Sequence, residues 1–563
     1  MRWRGRVGAV PVLLAWSVAA AFDPVPLLPG AQVFDAVADY GATPDDATDD
    51  TAAIQAALDA AAAHSNRPGV TKQQIVYLRP GIYLISDTLR FPRNRRNTRY
   101  NTTVECDQWL YGAGAGRTVL RLRPAADSGR VLGTEAVPQP VVQVAEYRLD
   151  NKAGGNINFQ LWVTDLTIVV PADQPHAVGL SYGSANMGAV RRVELLAEGT
   201  GGHVGLGLVQ YNNGPGYVEH VRIVGFQTGL LIHDNWGESF TFSDIEVRNQ
   251  KPGGVGIAMT DKQIAMERVR SSQAHPDVTA VRLYDDDTPN GPVGGSPHLT
   301  LLGAELACTA PGGAVVPAID IQRGHVYLRE VMATGYGDAF VLDHGQRRVF
   351  PGARIAGEFV AVHGQTRAER PNATLAIDGA TPTSLGLPVA PAPEVPAAAW
   401  DALRRGDSTH LDSAGLAAGP VRVATAWAIV DPRGLDDDTE LLQAALDSGA
   451  RYIGLLNHEQ FTVSRTVHVN GLDSPRRVEL IYGLMTDLLV ARDLAARPWP
   501  YDKPHRGLLF HLHSGLAERL TIKGLHLVAN VYSQVDFQLF QNDAGNTVDR
   551  KSTRLNSSHR IRS

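Results

Sequence analysis

Four sequence segments between Trp162 and Met259 decide the fold. They read WVTDLTIVV (162–170), AVRRVELLA (189–197), YVEHVRIVGF (217–226) and FTFSDIEVRN (240–249), and each is linked to a short apolar strand in which a glycine precedes Leu or Ile. The glycines of the short strands, Gly179, Gly205, Gly229 and Gly256, lie 26, 24 and 27 residues apart. A repeat of about 20 to 30 residues made of strands without helices is typical of a β-solenoid.

The repeat predicts an all-β protein whose main unit is a right-handed parallel β-helix. Inward apolar positions are expected to form ladders between coils, as do Val193, Val221, Ile245 and Val269. An antiparallel sandwich is the competing fold, but it would show hairpin turns about every 8–12 residues. The longer period therefore favours the solenoid.

Composition and charge exclude some function classes. The formal charge of −6 and the pI near 6.3 provide no broad positive field for phosphates, so nucleic acid is not an expected partner. The N-terminus has a basic segment, MRWRGR, an apolar segment up to Ala21 and small residues at its end, which predicts a signal peptide over residues 1–21. We therefore expect a secreted or periplasmic protein without a membrane-spanning segment.

The two cysteines, Cys106 and Cys308, are 202 positions apart and show no zinc-binding spacing. They could form a disulfide bond or remain two buried thiols, and the sequence leaves both possibilities open. No metal and no cofactor are expected.

The start of the solenoid is marked by a predicted helix. Within FDAVADYGATPDDATDDTAAIQAALDAAAAH (34–64), four residues form one apolar stripe at helical spacing: Ile54, Ala57, Leu58 and Ala61. Asp49 and Asp50 precede the helix, where carboxylates cap free amides. We interpret the pair as capping groups rather than catalytic ones.

The same opening occurs a second time after a segment rich in proline and alanine. Residues 437–439 and 443–447 (DDT and QAALD) match residues 49–51 and 55–59. The duplication predicts a first parallel β-helix over 31–378, a linker over 379–420 and a second parallel β-helix over 421–548.

The last segment, 549–563, differs from everything before it. It contains KSTRLNSSHRIRS (551–563), which is basic, rich in serine and without apolar periodicity. It resembles translated adaptor sequence, and a genuine basic tail is the alternative. We therefore expect that the second β-helix is incomplete and that the natural protein is longer.

These segments resemble a known family. DYGATPDDATDDTAAIQAALDAA (39–61) followed by VYLRPGIYLIS (76–86) is similar to the opening of pectate-lyase-superfamily domains of rhamnogalacturonase-like, epimerase-like and phage-tailspike proteins. The duplication resembles glycoside hydrolase family 55, which are exo-acting β-1,3-glucanases with two β-helices. The resemblance implies a β-glucan held between the helices and hydrolysed with inversion. It also implies a glutamic acid of the second helix as proton donor, and an amide and a hydroxyl of the first helix that hold the water.

The candidate catalytic residues follow from that implied chemistry. Gln250 and Ser271 lie one coil apart, so their side chains are expected to be neighbours able to hold a water. An internal polar ladder, in which such side chains satisfy one another, is the alternative. Glu518, in AERLTIKGL (517–525), is the remaining candidate for the acid, and the main acid is expected beyond the end of this chain. We therefore expect the chain as given to bind a glycan without hydrolysing it.

Four residues are candidates for substrate binding: Trp236, Glu238 and Asp244, in the polar stretch HDNWGESFTFSDIEVRNQ (233–250), and Tyr284. An aromatic ring can stack on a sugar face, but packing in the core or on the surface is the more common role of such rings and is the alternative for Trp236 and Tyr284. Three functions stay open: a polysaccharide hydrolase acting on a β-glucan, a glycan-binding or surface-structural solenoid without catalysis, and a lyase acting on a pectic glycan.

Overall fold

The structure is a computed structural model of the whole chain. It describes residues 32–65, 74–92, 95–97, 102–106, 108–144, 158–159, 161–184, 188–209, 214, 216–233, 240–260, 263–284, 297–343, 347–351, 354–362, 374–377, 395–412, 421–430, 437–455, 460–463, 465–470, 478–490, 507–512, 520–529 and 537–542. The predicted signal peptide and the predicted tail lie outside these residues.

The described chain is built mainly of short strands. The helices are α1 (Thr51–Ser65), α2 (Ala125–Ser128), α3 (Ala397–Arg404) and α4 (Thr439–Asp447). The strands are β1 (Gln32–Asp35), β2 (Gln74–Leu78), β3 (Gly81–Ile85), β4 (Leu89–Arg90), β5 (Arg95–Asn97), β6 (Thr102–Cys106), β7 (Gln108–Gly112), β8 (Thr118–Leu122), β9 (Gln139–Gln143), β10 (Asn158–Phe159), β11 (Trp162–Val170), β12 (Ala177–Ser181), β13 (Ala189–Ala197), β14 (Val204–Leu208), β15 (Gly216–Val224), β16 (Thr228–Ile232), β17 (Phe240–Arg248), β18 (Val255–Met259), β19 (Gln263–Gln273), β20 (Thr279–Leu283), β21 (His298–Leu302), β22 (Glu305–Cys308), β23 (Ile319–Ile321), β24 (His325–Thr334), β25 (Asp338–Asp343), β26 (Arg347–Pro351), β27 (Arg354–Val362), β28 (Thr374–Ile377), β29 (Ser408–Leu411), β30 (Trp427–Val430), β31 (Tyr452–Leu455), β32 (Gln460–Val463), β33 (Val467–Val469), β34 (Leu480–Val490), β35 (Gly507–Leu512), β36 (Thr521–Ala529) and β37 (Phe537–Asn542).

Two long sheets form the solenoid. The first sheet has the order β1-β2-β7-β11-β13-β15-β17-β19-β21-β24-β27-β28, with β3, β8 and β22 paired beside this path. The second sheet has the order β26-β25-β23-β20-β18-β16-β14-β12-β9-β4. The chain alternates between the sheets, and the pairs from β11 to β19 and from β9 to β20 are parallel. The predicted parallel solenoid is confirmed, and the sandwich is excluded.

The long strands of the first sheet bend in the middle. A residue with positive φ lies at the bend of successive coils, for example Asp165 (φ 60°), Arg192 (51°), His220 (52°), Asp244 (55°) and Arg268 (53°). A left-handed residue with a side chain costs roughly 1–2 kcal/mol. The bend therefore places five residues with this unfavourable backbone conformation at matching positions of successive coils.

The core between the sheets consists of stacked apolar side chains. The predicted ladder of Val193, Val221, Ile245 and Val269 lies inside it, each residue at most 1% exposed. The marker glycines have a steric reason. A Cβ at Gly229 would lie 2.5 Å from the carbonyl oxygen of Gly256, so the coils could not stack at their observed distance with a larger residue there.

Helix α1 covers the open end of this core. Its predicted stripe is fully buried, with Ile54 and Leu58 at 0% exposure. The Asp49 carboxylate accepts bonds from the amide (3.0 Å) and the hydroxyl (2.5 Å) of Thr51, and Asp50 accepts the amides of Thr43 (2.7 Å) and Leu84 (3.2 Å). These bonds satisfy the start of the helix and attach it to the first coils.

The second opening folds like the first. The Asp437 carboxylate accepts the amide (3.0 Å) and the hydroxyl (2.5 Å) of Thr439, as Asp49 does for Thr51. The side-chain amide of Gln443 donates to the carboxylate of Asp447 (3.0 Å) and to the backbone carbonyl of His468, and it accepts a hydrogen bond from the backbone amide of His468. Five parallel-paired strands, β29-β30-β31-β34-β32, and β36 form its main sheet. That this part is a second β-helix is still a proposal.

The proline- and alanine-rich segment differs from a simple linker. Its C-terminal part forms α3 and β29, and the side chains of Ala399 and Leu403 are fully buried. The indole of Trp427 donates to the carbonyl of Ala399 (2.8 Å). Alanine is an efficient helix former, and α3 buries one of its faces. A linker predicted from proline and alanine content alone does not take this helix into account.

Two further expectations concern the cysteines and the membrane. Cys308 is a free, buried thiol, so it forms no disulfide bond with Cys106. Within the described residues, no helix has the length and apolar character needed to cross a membrane.

Candidate functional site

Three neighbouring coils carry a polar pair at their bend. The pairs are Glu219–His220 on β15, Ser243–Asp244 on β17 and Glu267–Arg268 on β19, and we call these six residues the bend cluster. In each coil the residues on both sides of the pair are buried in the core, as Val218 and Val221 are. The left-handed residue reverses the alternation of the strand, so both polar residues face outward.

Arg268 connects the members of the bend cluster. Its guanidinium donates to both carboxylate oxygens of Asp244 (Nε to Oδ1 2.7 Å, Nη2 to Oδ2 2.6 Å). It also donates to Ser243 Oγ (2.5 Å) and pairs with Glu267 Oε1 (3.0 Å). His220 Nδ1 lies 3.7 Å from the same Asp244 carboxylate. One arginine thus holds two carboxylates and a hydroxyl in a fixed arrangement.

The charges of the bend cluster determine its protonation. Burial alone would raise the pKa of Asp244, but hydrogen bonds and charge from Arg268, with a further contribution from His220, hold that pKa below its usual value. Burial would lower the pKa of Arg268, but hydrogen bonds and charge from Asp244 and Glu267 raise it. Asp244 is therefore an ionised acceptor at neutral pH rather than a proton donor.

The bend cluster borders the second part of the chain. Arg191, one coil before Glu219, pairs with the Glu219 carboxylate (Nη2 to Oε2 3.1 Å) and donates to the phenol oxygen of Tyr482 (Nη1 to Oη 2.6 Å). The side chains of Arg191 and Glu219 are each only 9% exposed. Aromatic rings surround this contact. Trp109 and Trp162 stack at 4.5 Å between ring centroids and belong to the same apolar cluster as Trp427 and Tyr482.

A second charged row on this sheet has a different character. Alternating residues pair in register along it: Glu194, Arg222, Glu246, Arg270 and Glu305. At its end, Arg270 and Glu305 are 67% and 71% exposed. Exposed ion pairs of this kind contribute little and suit a solvated face.

The predicted catalytic pair lies inside the solenoid. Gln250 is 0% exposed and Ser271 is 2% exposed. The backbone amide of Gln250 donates to the side chain of Gln273 (2.9 Å), whose own amide donates to Ser271 Oγ (2.9 Å). The buried position disfavours the role of holding a catalytic water, because a bound glycan cannot reach the interior. Gln273 and Ser271 form a contact of the predicted polar ladder, whereas the side-chain amide of Gln250 has no hydrogen-bond partner among the described residues.

The other predicted site residues lie in different places. Asp244 is part of the bend cluster. Tyr284 lies at the end of β20, on the second sheet, where Arg282 covers its ring (5.5 Å) and also donates to Asp320 (3.0 Å). Trp236, Glu238 and Glu518 lie outside the described residues. The structure therefore does not bring Asp244 and Tyr284 to one site.

Sequence reasoning missed most of the bend cluster. Its signal is an interruption of strand alternation, in which two polar residues lie between two apolar ones: VEHV (218–221), FSDI (242–245) and MERV (266–269). The same pattern occurs in VRRV (190–193). A one-residue break that recurs at the coil period predicts a bend with paired outward side chains.

The chemistry of the bend cluster suits a ligand with hydroxyl groups. Carboxylates, a guanidinium and an imidazole offer both donors and acceptors. Within the described residues, no three His, Cys, Asp or Glu side chains are arranged to hold a metal ion.

The fold and this surface define the class of the protein as a parallel β-helix with a charged outer face. Residues 34–275 match the family described as rhamnogalacturonase A/epimerase, pectate lyase-like. This part of the chain is thus similar to pectate-lyase-like domains, which confirms the resemblance predicted from its opening. The bend cluster lies entirely inside the matched residues.

Several solved structures are similar to this chain at low identity and low TM-score. The AlgE6 A-module of mannuronan C-5 epimerase from Azotobacter vinelandii is 14% identical, with 91% of this chain and 100% of that chain covered and a TM-score of 0.32. A GH87 α-1,3-glucanase catalytic unit from Streptomyces thermodiastaticus is 16% identical (57% and 65% covered, TM-score 0.32). The surface adhesin PfbA from Streptococcus pneumoniae is 12% identical (62% and 100% covered, TM-score 0.30). A comparison with curated proteins finds no match.

Proposed function

We propose that this chain is a secreted carbohydrate-active protein that holds a polysaccharide against the bend cluster. The single observation that carries the proposal is the cluster itself, in which Arg268 holds Asp244 and Glu267 at the outer face. Sugar hydroxyls both donate and accept hydrogen bonds, so an array of ionised acceptors beside cationic donors fits them.

The reaction that we propose is hydrolysis of a glycosidic bond, of the exo-β-1,3-glucanase type with inversion. An ionised carboxylate such as Asp244 stabilises the positive charge that develops on the sugar in the transition state. The proton donor would be a different carboxylic acid, because the low pKa of Asp244 is unsuited to that role. Glu518 is the remaining candidate within this chain, because it lies in the polar segment AERLTIKGL (517–525) of the second part.

Glycan binding without catalysis is the second candidate, and one observation favours it. The carboxylates of the bend cluster already have arginine partners, because Asp244 and Glu267 pair with Arg268 and Glu219 pairs with Arg191. Such pairs fix a recognition surface, and they reduce the freedom of each carboxylate to exchange protons.

The test uses the full chain with laminarin and polygalacturonate in parallel, and it measures affinity, new reducing ends and unsaturated products. Reducing ends from laminarin support hydrolysis, binding without product supports the second candidate, and unsaturated products from polygalacturonate indicate a lyase. Failure to bind either glycan would contradict the proposal.

Variants of the bend cluster test whether the glycan binds there. Glu267→Gln and Asp244→Asn remove charges that Arg268 holds, and we expect each to lower affinity about tenfold, since one charged contact contributes about 1.5–3 kcal/mol. Glu305→Gln is the matched control, because its carboxylate lies on the same sheet in the exposed row. Equal effects of all three variants would place the glycan elsewhere.

A further inference from the structure

A row of polar side chains lies on the outer face of the second sheet, whereas the bend cluster lies on the first sheet. The row occupies matching positions of four successive coils: His233, Thr260, Tyr284 and Gln322. In the last two coils the preceding residue, Leu283 or Ile321, is fully buried in the core, so strand alternation turns the row outward. Neighbouring coils are about 4.8 Å apart, and the row is therefore roughly 14 Å long.

The ring of Tyr284 lies outside the apolar packing of the protein. It is half-buried, but it belongs to none of the apolar clusters that the described residues form. The guanidinium of Arg282 lies over one face, 5.5 Å from the ring centroid. In the part of the chain that the structure describes, no other ring or cation stacks on Tyr284. The opposite face of the ring is therefore left for a ligand.

Arg282 fixes this ring and a carboxylate in one arrangement. Its Nε donates to Asp320 Oδ2 (3.0 Å), its Nη1 to the hydroxyl oxygen of Tyr284 (3.4 Å) and its Nη2 to Thr279 Oγ1 (3.1 Å). The side-chain amide of Gln322 donates to the same oxygen of Asp320 (3.0 Å). The side chains of Arg282 and Asp320 are only 23% and 14% exposed. This network holds the ring and the carboxylate in place before a ligand binds, which lowers the entropy lost on binding.

Two polar groups of the network remain for a ligand. Among the described residues, both hydrogen bonds to the Asp320 carboxylate end on Oδ2, which leaves Oδ1 as an acceptor. The Tyr284 oxygen accepts from Arg282, which leaves its own O–H as a donor. An acceptor, a donor and a ring face together match a sugar, which has hydroxyls at its edge and C–H groups on its faces. The charges of Arg282 and Asp320 compensate each other, so a neutral sugar fits better than a uronate.

We propose that six residues of the second sheet form a separate binding site for a neutral polysaccharide, which we call the second-sheet site: His233, Thr260, Arg282, Tyr284, Asp320 and Gln322. One sugar ring stacks on the open face of Tyr284, donates a hydroxyl to Asp320 Oδ1 and accepts the phenol O–H. The other polar groups of the row contact neighbouring sugars along the coil axis. The site goes beyond the function of the bend cluster, because it lies on another sheet and binds a glycan independently.

The test is hydroxyl-radical footprinting of the full chain, in which peptide mass spectrometry measures the labelling of individual tyrosine rings. We expect laminarin to lower the labelling of Tyr284 by about half or more, because stacking covers the open face of the ring. Tyr40, a half-buried ring beside α1, is the internal reference that corrects for radicals consumed by the sugar. Polygalacturonate should leave the labelling of Tyr284 unchanged. Labelling of Tyr284 that laminarin does not lower would refute the proposal, and protection by polygalacturonate alone would refute the neutral ligand.

Variants separate this site from the bend cluster. In an Asp244→Asn chain laminarin should still protect Tyr284, and loss of that protection would show that the two sites are not independent. In the same background we expect Tyr284→Ala to lower the affinity for laminarin about tenfold and Tyr284→Phe, which keeps the ring, only about threefold. Equal affinities of these two variants would contradict stacking on the ring.

The outcomes also distinguish this proposal from the proposed function. Protection of Tyr284 together with unchanged affinity in the bend-cluster variants would support the second-sheet site and contradict the role of the bend cluster. An unprotected Tyr284 together with weaker binding in the bend-cluster variants would do the reverse. Laminarin that binds at neither place would contradict both.

Discussion

The contact between Arg191 and Tyr482 predicts an energetic link between the two parts of the chain. The two side chains are 291 residues apart in sequence, and their 2.6 Å hydrogen bond lies in a buried interface. Tyr482→Phe removes the acceptor and leaves a buried guanidinium hydrogen without it. A hydrogen bond to a charged group contributes about 1.5–3 kcal/mol, so we expect a local loss of about 2 kcal/mol.

The assay is hydrogen exchange of the native chain, read by mass spectrometry on peptides from β13 and from the start of β34. Local stability determines exchange there, and a loss of about 2 kcal/mol corresponds to roughly 30-fold faster exchange. Arg191→Met also removes the cation beside Glu219 and should cost more, about 3–5 kcal/mol. In the double variant we expect a coupling of at least about 1 kcal/mol.

The control is Tyr452→Phe. Tyr452 is 2% exposed in the same interface and lies under Arg451, whose guanidinium is 5.5 Å from the ring, a contact that Phe preserves. We expect less than about threefold faster exchange in this variant. If Tyr482→Phe behaves like the control, or if its effect and that of Arg191→Met are additive, the inferred link is wrong.

Three further predictions concern the solenoid itself. Gly229→Ala should lower the free energy of unfolding by about 1–3 kcal/mol in chemical denaturation, because the Cβ of the new alanine would lie 2.5 Å from a carbonyl oxygen. Gly337→Ala is the control and should be neutral, because a Cβ at that position would have no heavy atom within 4 Å. The stacked rings of His298 and His325 (4.2 Å) should make the chain less stable in acid. Burial and His325 lower the pKa of His298, so the unfolded chain binds more protons below about pH 6.5, and a His298→Gln variant should show a smaller drop in melting temperature between pH 7.5 and 5. Gln250→Ala should lower stability without changing the affinity for laminarin, and a selective loss of hydrolysis would instead restore its catalytic interpretation.

The sequence predicted the fold because its evidence is local and repeated. The marker glycines recur once per coil, and each must be small because the next coil's carbonyl occupies the place of a Cβ. The helix before the first coils was equally predictable, since Ile54 and Leu58 share one face. These features depend on near neighbours in sequence or on the repeat period, and both are visible in one dimension.

The candidate site was less predictable, because the direction in which a side chain points depends on a single backbone angle. Asp244 was found, but its partners Arg268 and His220 come from neighbouring coils and were missed. Gln250 has the polar character of a surface residue, yet it lies inside the core beside Gln273. Whether the side chain of a polar residue points outward or inward depends on the position of the left-handed residue in its strand.

The sequence by itself determined the class of fold, the coil period and the start of the solenoid, because steric and apolar patterns repeat along the chain. The tertiary structure alone decided which charges meet. Arg268 reaches Asp244 because coil stacking places strands in register, and Arg191 reaches Tyr482 because two distant parts of the chain bury their aromatic faces against each other. Such contacts depend on coil register and on the packing of remote segments, which no local sequence pattern encodes.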